Sequence, residues 1–191
     1  MPQQESDIWL STIRDMVSGY RRMLDATVEQ LSDNELFARP EPNINSVAVI
    51  LRHLGGNLRS RWTDFLTTDG EKPDRDRDAE FTDWVGDRES LLDDFNAGWT
   101  ALESALAIID DETIFQTIYI RGESHSVAQA LLRSVTHLTY HVGQVAIIAR
   151  MVHDGDWNWL TVAPGESALH NQRTWGAAAS RSVFSDNKKS G

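Results

Sequence analysis

The 191-residue chain contains no cysteine. This absence excludes disulfides, thiolate metal ligands and a cysteine nucleophile, and it is compatible with a reducing cytoplasm. No apolar run reaches the roughly 18 uninterrupted residues that a membrane-spanning helix needs. The first residues also lack the basic segment and apolar run of a secretory signal. The sequence therefore predicts a cytoplasmic protein with no membrane partner.

Basic residues are scarce, with 18 Lys and Arg against 29 Asp and Glu and a formal net charge of −11. A nucleic-acid partner is disfavoured, because neutralising phosphates requires clustered basic side chains. Hydrophobic residues make up 40% of the chain and charged residues 25%, which is ordinary for a globular protein. We expect one domain over residues 1–165, followed by an irregular, partly disordered tail over residues 166–191.

Four segments carry apolar residues at helical spacing, and together they predict an all-α fold. They cover approximately residues 8–31, 46–65, 88–109 and 126–152. The charged connection 67–87 is long for a link between antiparallel neighbours. A crossover to a non-adjacent corner of an antiparallel four-helix bundle would explain that length.

Two shorter motifs predict the local structure at and before the start of the fourth helix. Ser126-Val-Ala-Gln129 fits a capping box at the start of the fourth helix. The residues before it, 113–123, look extended, and Arg121-Gly122-Glu123 is typical of a turn, so the segment is compatible with a small strand pair.

Three histidines are the candidate metal ligands. His137 and His141 lie four positions apart on the fourth predicted helix, so their imidazoles share a face and can reach one ion. His53, on the second predicted helix, would complete a facial three-histidine site with room for water or substrate. Imidazole suits zinc, nickel, copper or iron. The competing interpretation is that these are hydrogen-bonded core histidines, or such a pair together with a surface His53.

Two stretches resemble the second and fourth helices of the DinB/YfiT-like superfamily, and most closely a bacterial branch of unknown function. They are His53-Leu-Gly-Gly-Asn57-Leu-Arg-Ser-Arg-Trp62 and His137-Leu-Thr-Tyr-His141-Val-Gly-Gln144. Arg121-Gly-Glu-Ser-His-Ser126 is similar to the turn before the fourth helix of that superfamily. The resemblance covers approximately residues 8–167, and the histidine segments follow in the family's order and spacing.

The resemblance implies a four-helix bundle of up-down-down-up connectivity with a long crossover between helices two and three. It also implies a divalent metal, zinc or nickel, held by His53, His137 and His141, and a homodimer. Relatives in the superfamily include thiol transferases that use bacillithiol, an isomerase that uses mycothiol, and hydrolases. The motif specifies the metal and leaves the substrate open.

Three further residues are candidates for roles beside the metal. Asn57 and Gln144 lie one helical turn from His53 and His141, where they could orient a ligand or bind metal-bound water, or simply cap a polar layer. Arg133 could hold an anionic substrate group or pair with an acid on a neighbouring helix, and the ion pair is the preferred interpretation. No carboxylate pair suggests an acid–base dyad, so the catalytic residue is unknown.

The basic residues from Arg52 to Arg77 include Arg61 and Arg75 and alternate with five carboxylates. This pattern favours a solvated, self-paired surface over a funnel for anions.

The leading hypothesis is a metal-dependent enzyme of small-molecule metabolism or detoxification. The ion would lower the pKa of water or of a thiol, which gives a hydrolase or a thiol transferase. Because the chain has no cysteine, the thiol would come from a low-molecular-weight cosubstrate. The alternative is a non-catalytic metal-binding or stress-related dimeric bundle protein.

Overall fold

The computed structural model describes residues 3–175, of which helices form the largest part. The mostly helical class predicted from the apolar spacing is confirmed. The described helices are α1 Gln3–Val28, α2 Asp33–Phe37, α3 Val47–Trp62, α4 Arg88–Ile108, α5 Val127–Val152 and α6 Ser167–Trp175. An antiparallel hairpin, β1 Thr117–Ile120 and β2 Glu123–Ser126, lies between α4 and α5 and confirms the extended segment.

Polar caps set where the helices begin. The side chains of Ser46, Asp87 and Ser126 each accept a hydrogen bond from the backbone N–H three residues later. These bonds satisfy N–H groups that have no partner inside the helix. The predicted capping box at Ser126 and Gln129 is confirmed. Ser32 and Glu35 form a second capping box that starts α2, a short helix that the sequence analysis missed.

The long helices pack in pairs, α1 against α5 and α3 against α4, and α3 also contacts α5. The expected crossover to a non-adjacent corner is therefore wrong, because α3 and α4 are direct neighbours. Their contact is very close at Gly55 and Gly98. A methyl group built on Gly98 would overlap the carbonyl of Gly55 and lie 2.6 Å from its Cα. Only glycine lets the two backbones approach this far. Phe95 and Trp99 of α4 are almost completely buried on the same face.

The connection between α3 and α4 folds back onto the rest of the domain. A single turn of 3-10 helix, Ala79–Phe81, packs against α3. Asp69 accepts hydrogen bonds from the backbone N–H groups of Arg121 and Gly122 at the tip of the hairpin. Both tip residues have positive φ, 57° and 75°, as the predicted turn requires. The connection is therefore anchored to α3 at one point and to the hairpin at another.

Residues 3–156 belong to one compact unit, and residues 157–175 belong to a second. The sequence predicts an irregular tail after residue 165, and within it Ser167–Trp175 forms α6. Gly165 precedes this helix with φ of 84°, which favours glycine. Residues 176–191 of the predicted tail lie outside the described residues. None of the described helices combines the length and apolar character needed to cross a bilayer.

Candidate metal centre

Contact between α3 and α5 brings the three predicted histidines together. One ring nitrogen from each of His53, His137 and His141 lies within 4.8 Å of the other two. The Nε2 atom of His137 is 3.1 Å from that of His53 and 3.2 Å from that of His141. His53 and His141 are buried, and His137 is half-buried. Residues 84 positions apart thus meet at one point inside the fold.

Hydrogen bonds on the far side of two rings fix which nitrogen carries the proton. His53 Nδ1 lies 2.8 Å from a carboxylate oxygen of Glu80, which can only accept, so this nitrogen is the donor. His141 Nδ1 lies 2.8 Å from Oε1 of Gln144, whose Nε2 donates to the hydroxyl of Tyr140. In the neutral rings, the Nε2 atoms of His53 and His141 are therefore the unprotonated nitrogens, and they face His137.

The spacing of these nitrogens fits a divalent metal ion. Metal–nitrogen bonds of about 2.0–2.1 Å at tetrahedral angles place ligand nitrogens about 3.3 Å apart. The separations of 3.1 and 3.2 Å from His137 are close to that value, and the nitrogens of His53 and His141 lie within 4.8 Å of each other. His137 Nε2 carries at most one hydrogen and can donate it to only one of the other two nitrogens, whereas a cation between the three rings satisfies all of them. The donor set is all imidazole, which zinc, nickel, copper and iron accept.

Burial keeps two of the imidazoles neutral. Desolvation, followed by the charges of His141 and His53, lowers the pKa of His137 to about 3. Desolvation, followed by the charge of His53, lowers the pKa of His141 to about 4. Since only the neutral ring can donate a lone pair, both residues are in the ligand form at neutral pH.

Glu80 is held by Arg75, a buried residue that also belongs to the connection between α3 and α4. Arg75 Nε and Nη2 donate to the two Glu80 oxygens at 2.7 and 2.8 Å, and both side chains are nearly inaccessible to solvent. Burial alone would raise the pKa of Glu80, but hydrogen bonds from Arg75 and His53 outweigh it and lower that pKa. Glu80 is therefore ionised, and the Arg75–Glu80–His53 chain orients the His53 ring.

Glu80 was not predicted as a site residue, and the burial of the arginines near it was not predicted either. For Arg61 and Arg75 the predicted self-pairing is confirmed, but the predicted solvation is wrong, because their side chains are 9% and 4% exposed. Arg61 instead donates to the carbonyl of Gly70 and to Glu71. One sequence signal could have indicated burial: Phe81 interrupts the charged stretch, and its ring packs 4.5 Å from that of His53.

The remaining predicted residues lie at different distances from the histidines. Gln144 contacts His141 directly. Asn57 and Arg133 line the adjoining cavity. Arg133 forms no ion pair among residues 3–175, which contradicts the predicted pairing with an acid on a neighbouring helix. The predicted ion pair fails because the side chain is exposed and faces a cavity instead of a neighbouring acid.

A cavity of about 420 Å³ adjoins the histidines. His53 and His137 form part of its wall, and Trp62, Ile118 and Ile120 provide an apolar side. The volume lies in the lower part of the 300–1,000 Å³ range of small-molecule sites. The histidine cluster is therefore accessible to a small molecule from one side.

A family model described as "Protein of unknown function (DUF1572)" matches residues 4–166 of the chain. Comparisons with curated proteins and with solved structures gave no match.

Proposed function

The chain belongs to the DUF1572 family of proteins of unknown function, and we propose that His53, His137 and His141 bind one divalent metal ion at the active site of an enzyme. The observation that carries this proposal is the convergence of Nε2 atoms at 3.1 and 3.2 Å with the outer nitrogens of His53 and His141 committed to Glu80 and Gln144. Zinc or nickel is the proposed metal, because both accept imidazole ligands.

The adjoining cavity supports catalysis over a purely structural role. Structural zinc sites are closed by four protein ligands, whereas catalytic sites keep a position open. Here three histidines are available, and two of them line a cavity. A divalent ion bound there supplies Lewis-acid activation of water or of a thiol. The proposed activity is therefore hydrolysis, or transfer of a low-molecular-weight thiol to an electrophile.

We also propose a specific arrangement of the four long helices. We place the chain in the DinB/YfiT-like superfamily, with α1, α3, α4 and α5 as an up-down-down-up four-helix bundle. The pairwise packing of these helices supports this description. In that arrangement α3 and α4 run in the same direction, so the long connection returns the chain along the bundle to a neighbouring helix. One domain over residues 1–165 and a cytoplasmic location complete the proposal.

A homodimer is also proposed, with the outer face of α5 as its contact surface. Four large apolar residues on that helix are more than half exposed and follow helical spacing. They are Leu132, Tyr140, Ile147 and Met151. An exposed apolar stripe of this kind is typical of surfaces that associate.

Metal analysis of the purified full-length protein is the first test. After incubation with zinc or nickel and removal of free metal, we expect one ion per chain, located by anomalous scattering between the three histidines. A protein that retains no divalent metal would contradict the proposal. Thiol-transfer assays with bacillithiol, mycothiol and glutathione, beside ester and amide hydrolysis, then distinguish the reactions. A metal that raises the melting temperature without supporting any turnover would favour the non-catalytic alternative.

A further inference from the structure

The cavity beside the histidines is strongly basic, although the protein as a whole is acidic. Five arginines line it, while no Asp or Glu side chain among residues 3–175 forms part of its wall. These arginines are Arg61, Arg75, Arg77, Arg121 and Arg133. In a chain with a formal net charge of −11, this concentration of positive charge is local to one cavity. Such a lining concentrates the electric field on a small anion.

Neighbouring carboxylates neutralise only part of this charge. Glu71 accepts from Arg61 at 2.9 Å and from Arg121 at 3.0 Å, and it also contacts Arg75. Glu80 is shared between Arg75 and His53. Two carboxylates thus face three arginines, and both are already engaged in hydrogen bonds.

Two of the five arginines have no carboxylate partner within the described chain. Arg133, on α5, is exposed and forms no ion pair among residues 3–175. The same holds for Arg77, whose guanidinium lies 5.6 Å from the centre of the Phe81 ring. Because both are exposed and line the cavity, they lie where it meets solvent. Their N–H groups remain available to a ligand.

From this arrangement we propose that the cavity binds a small molecule through an anionic group, a carboxylate or a phosphate, held by Arg77 and Arg133. Guanidinium groups bind both anions through charge-assisted, often bidentate hydrogen bonds. The apolar side formed by Trp62, Ile118 and Ile120 accommodates the rest of the ligand. The inference rests on the proposed function, since it assigns a substrate class to the same metal centre.

The test is calorimetric titration of the full-length, zinc-loaded protein at fixed ionic strength. The probes are succinate and inorganic phosphate, with uncharged succinamide as the matched control. Arg133→Gln and Arg77→Gln are compared with Arg22→Gln, which removes the same charge from an exposed position on α1. Loss of a charge-assisted hydrogen bond should raise Kd roughly tenfold for each cavity variant. The Arg22→Gln variant should bind as the wild type does.

Three results would overturn this inference. They are no binding of either anion up to about 10 mM, equal binding of succinamide, and equal Kd changes in the cavity variants and Arg22→Gln. Thermal melting of each variant shows whether a loss of affinity reflects unfolding.

Metal content distinguishes this inference from the proposed function. Arginine-dependent anion binding by a protein that holds no metal would refute the proposed function alone. Stoichiometric metal without anion binding would refute this inference alone.

Discussion

His53 Nδ1 lies 2.8 Å from a carboxylate oxygen of Glu80, a residue 27 positions further along the chain. The contact fixes the ring of a candidate ligand from α3 through a residue of the connection that follows it. Arg75 in turn holds Glu80 through two hydrogen bonds. The orientation of the His53 ring therefore depends on a segment that contributes no metal ligand.

Replacing that carboxylate should weaken metal binding without removing a ligand. We expect Glu80→Gln to reduce zinc affinity by roughly 10–100-fold, because the His53 ring loses the charged acceptor that orients it. Competition with a chromophoric chelator measures the change. The matched control is Glu71→Gln, because Glu71 also pairs with Arg75 but has no contact with His53. Equal losses in the two variants would show that the effect comes from the arginine network.

Removing an imidazole should abolish stoichiometric metal. In His137→Ala the central nitrogen of the cluster is lost, and two imidazoles remain on separate helices. Elemental analysis after gel filtration should give well under one ion per chain. His125→Ala, on β2, removes an imidazole away from the cluster and should retain the metal. Unchanged, stoichiometric metal in His137→Ala would rule out this site.

Stability of the metal-free protein should fall on mild acidification. The pKa of His137 and of His141 is about 3 and about 4 in the folded state, against 6.5 for an ordinary histidine. The unfolded chain therefore binds more protons below pH 6.5, and each imidazole can cost up to about 1.4 kcal/mol per pH unit there. Urea unfolding with EDTA between pH 7 and 5 measures the slope. A His137→Gln/His141→Gln variant should show a flatter dependence over that window.

The close approach of α3 and α4 can be tested with two glycine substitutions. Gly98→Ala should destabilise the protein by about 1–3 kcal/mol or more, because its methyl group would overlap the backbone of Gly55. Gly143→Ala, in α5, meets no atom within 4 Å and should stabilise by up to about 1 kcal/mol. Urea midpoints give both values. A neutral Gly98→Ala would mean that the two helices are further apart than described.

The proposed dimer should depend on the exposed stripe of α5. Charges at Ile147 and Met151, each more than half exposed, would have to be buried in the interface. We expect an Ile147→Glu/Met151→Glu variant to be monomeric by light scattering, with the wild type dimeric. Val85→Glu, at a 98% exposed position, is the control and should remain dimeric. A monomeric wild type would contradict the proposal.

Local signals were sufficient for most of the helical structure. Apolar spacing located the four long segments, and the capping box at Ser126 located the start of α5. The one-turn helix α2 was missed because its apolar pattern is too short to recognise. The pairing of His137 with His141 was predicted because they share one helical face. The addition of His53, on another helix, relied on the resemblance to a known superfamily.

The places of Glu80 and Arg75 in the site could not be predicted from the spacing of apolar residues. Glu80 and Arg75 lie in a charged stretch without periodicity, and charged residues in such a stretch are usually solvated. Their burial follows from mutual pairing and from contact with His53, both of which depend on tertiary structure. A similar limit applied to Arg133, whose exposed guanidinium faces a cavity built partly by the distant hairpin.

The connection between α3 and α4 has a consequence for how this protein can diversify. Helices α3 and α5 carry the three imidazoles, while Arg75, Arg77 and Glu80 come from the connection. Substitutions in that one segment can therefore alter selectivity or metal affinity while the helical scaffold and the imidazole donors remain unchanged. Homologues with the same histidines but a different connection would be expected to have a different chemical preference, and sorting them by that segment should group them by substrate.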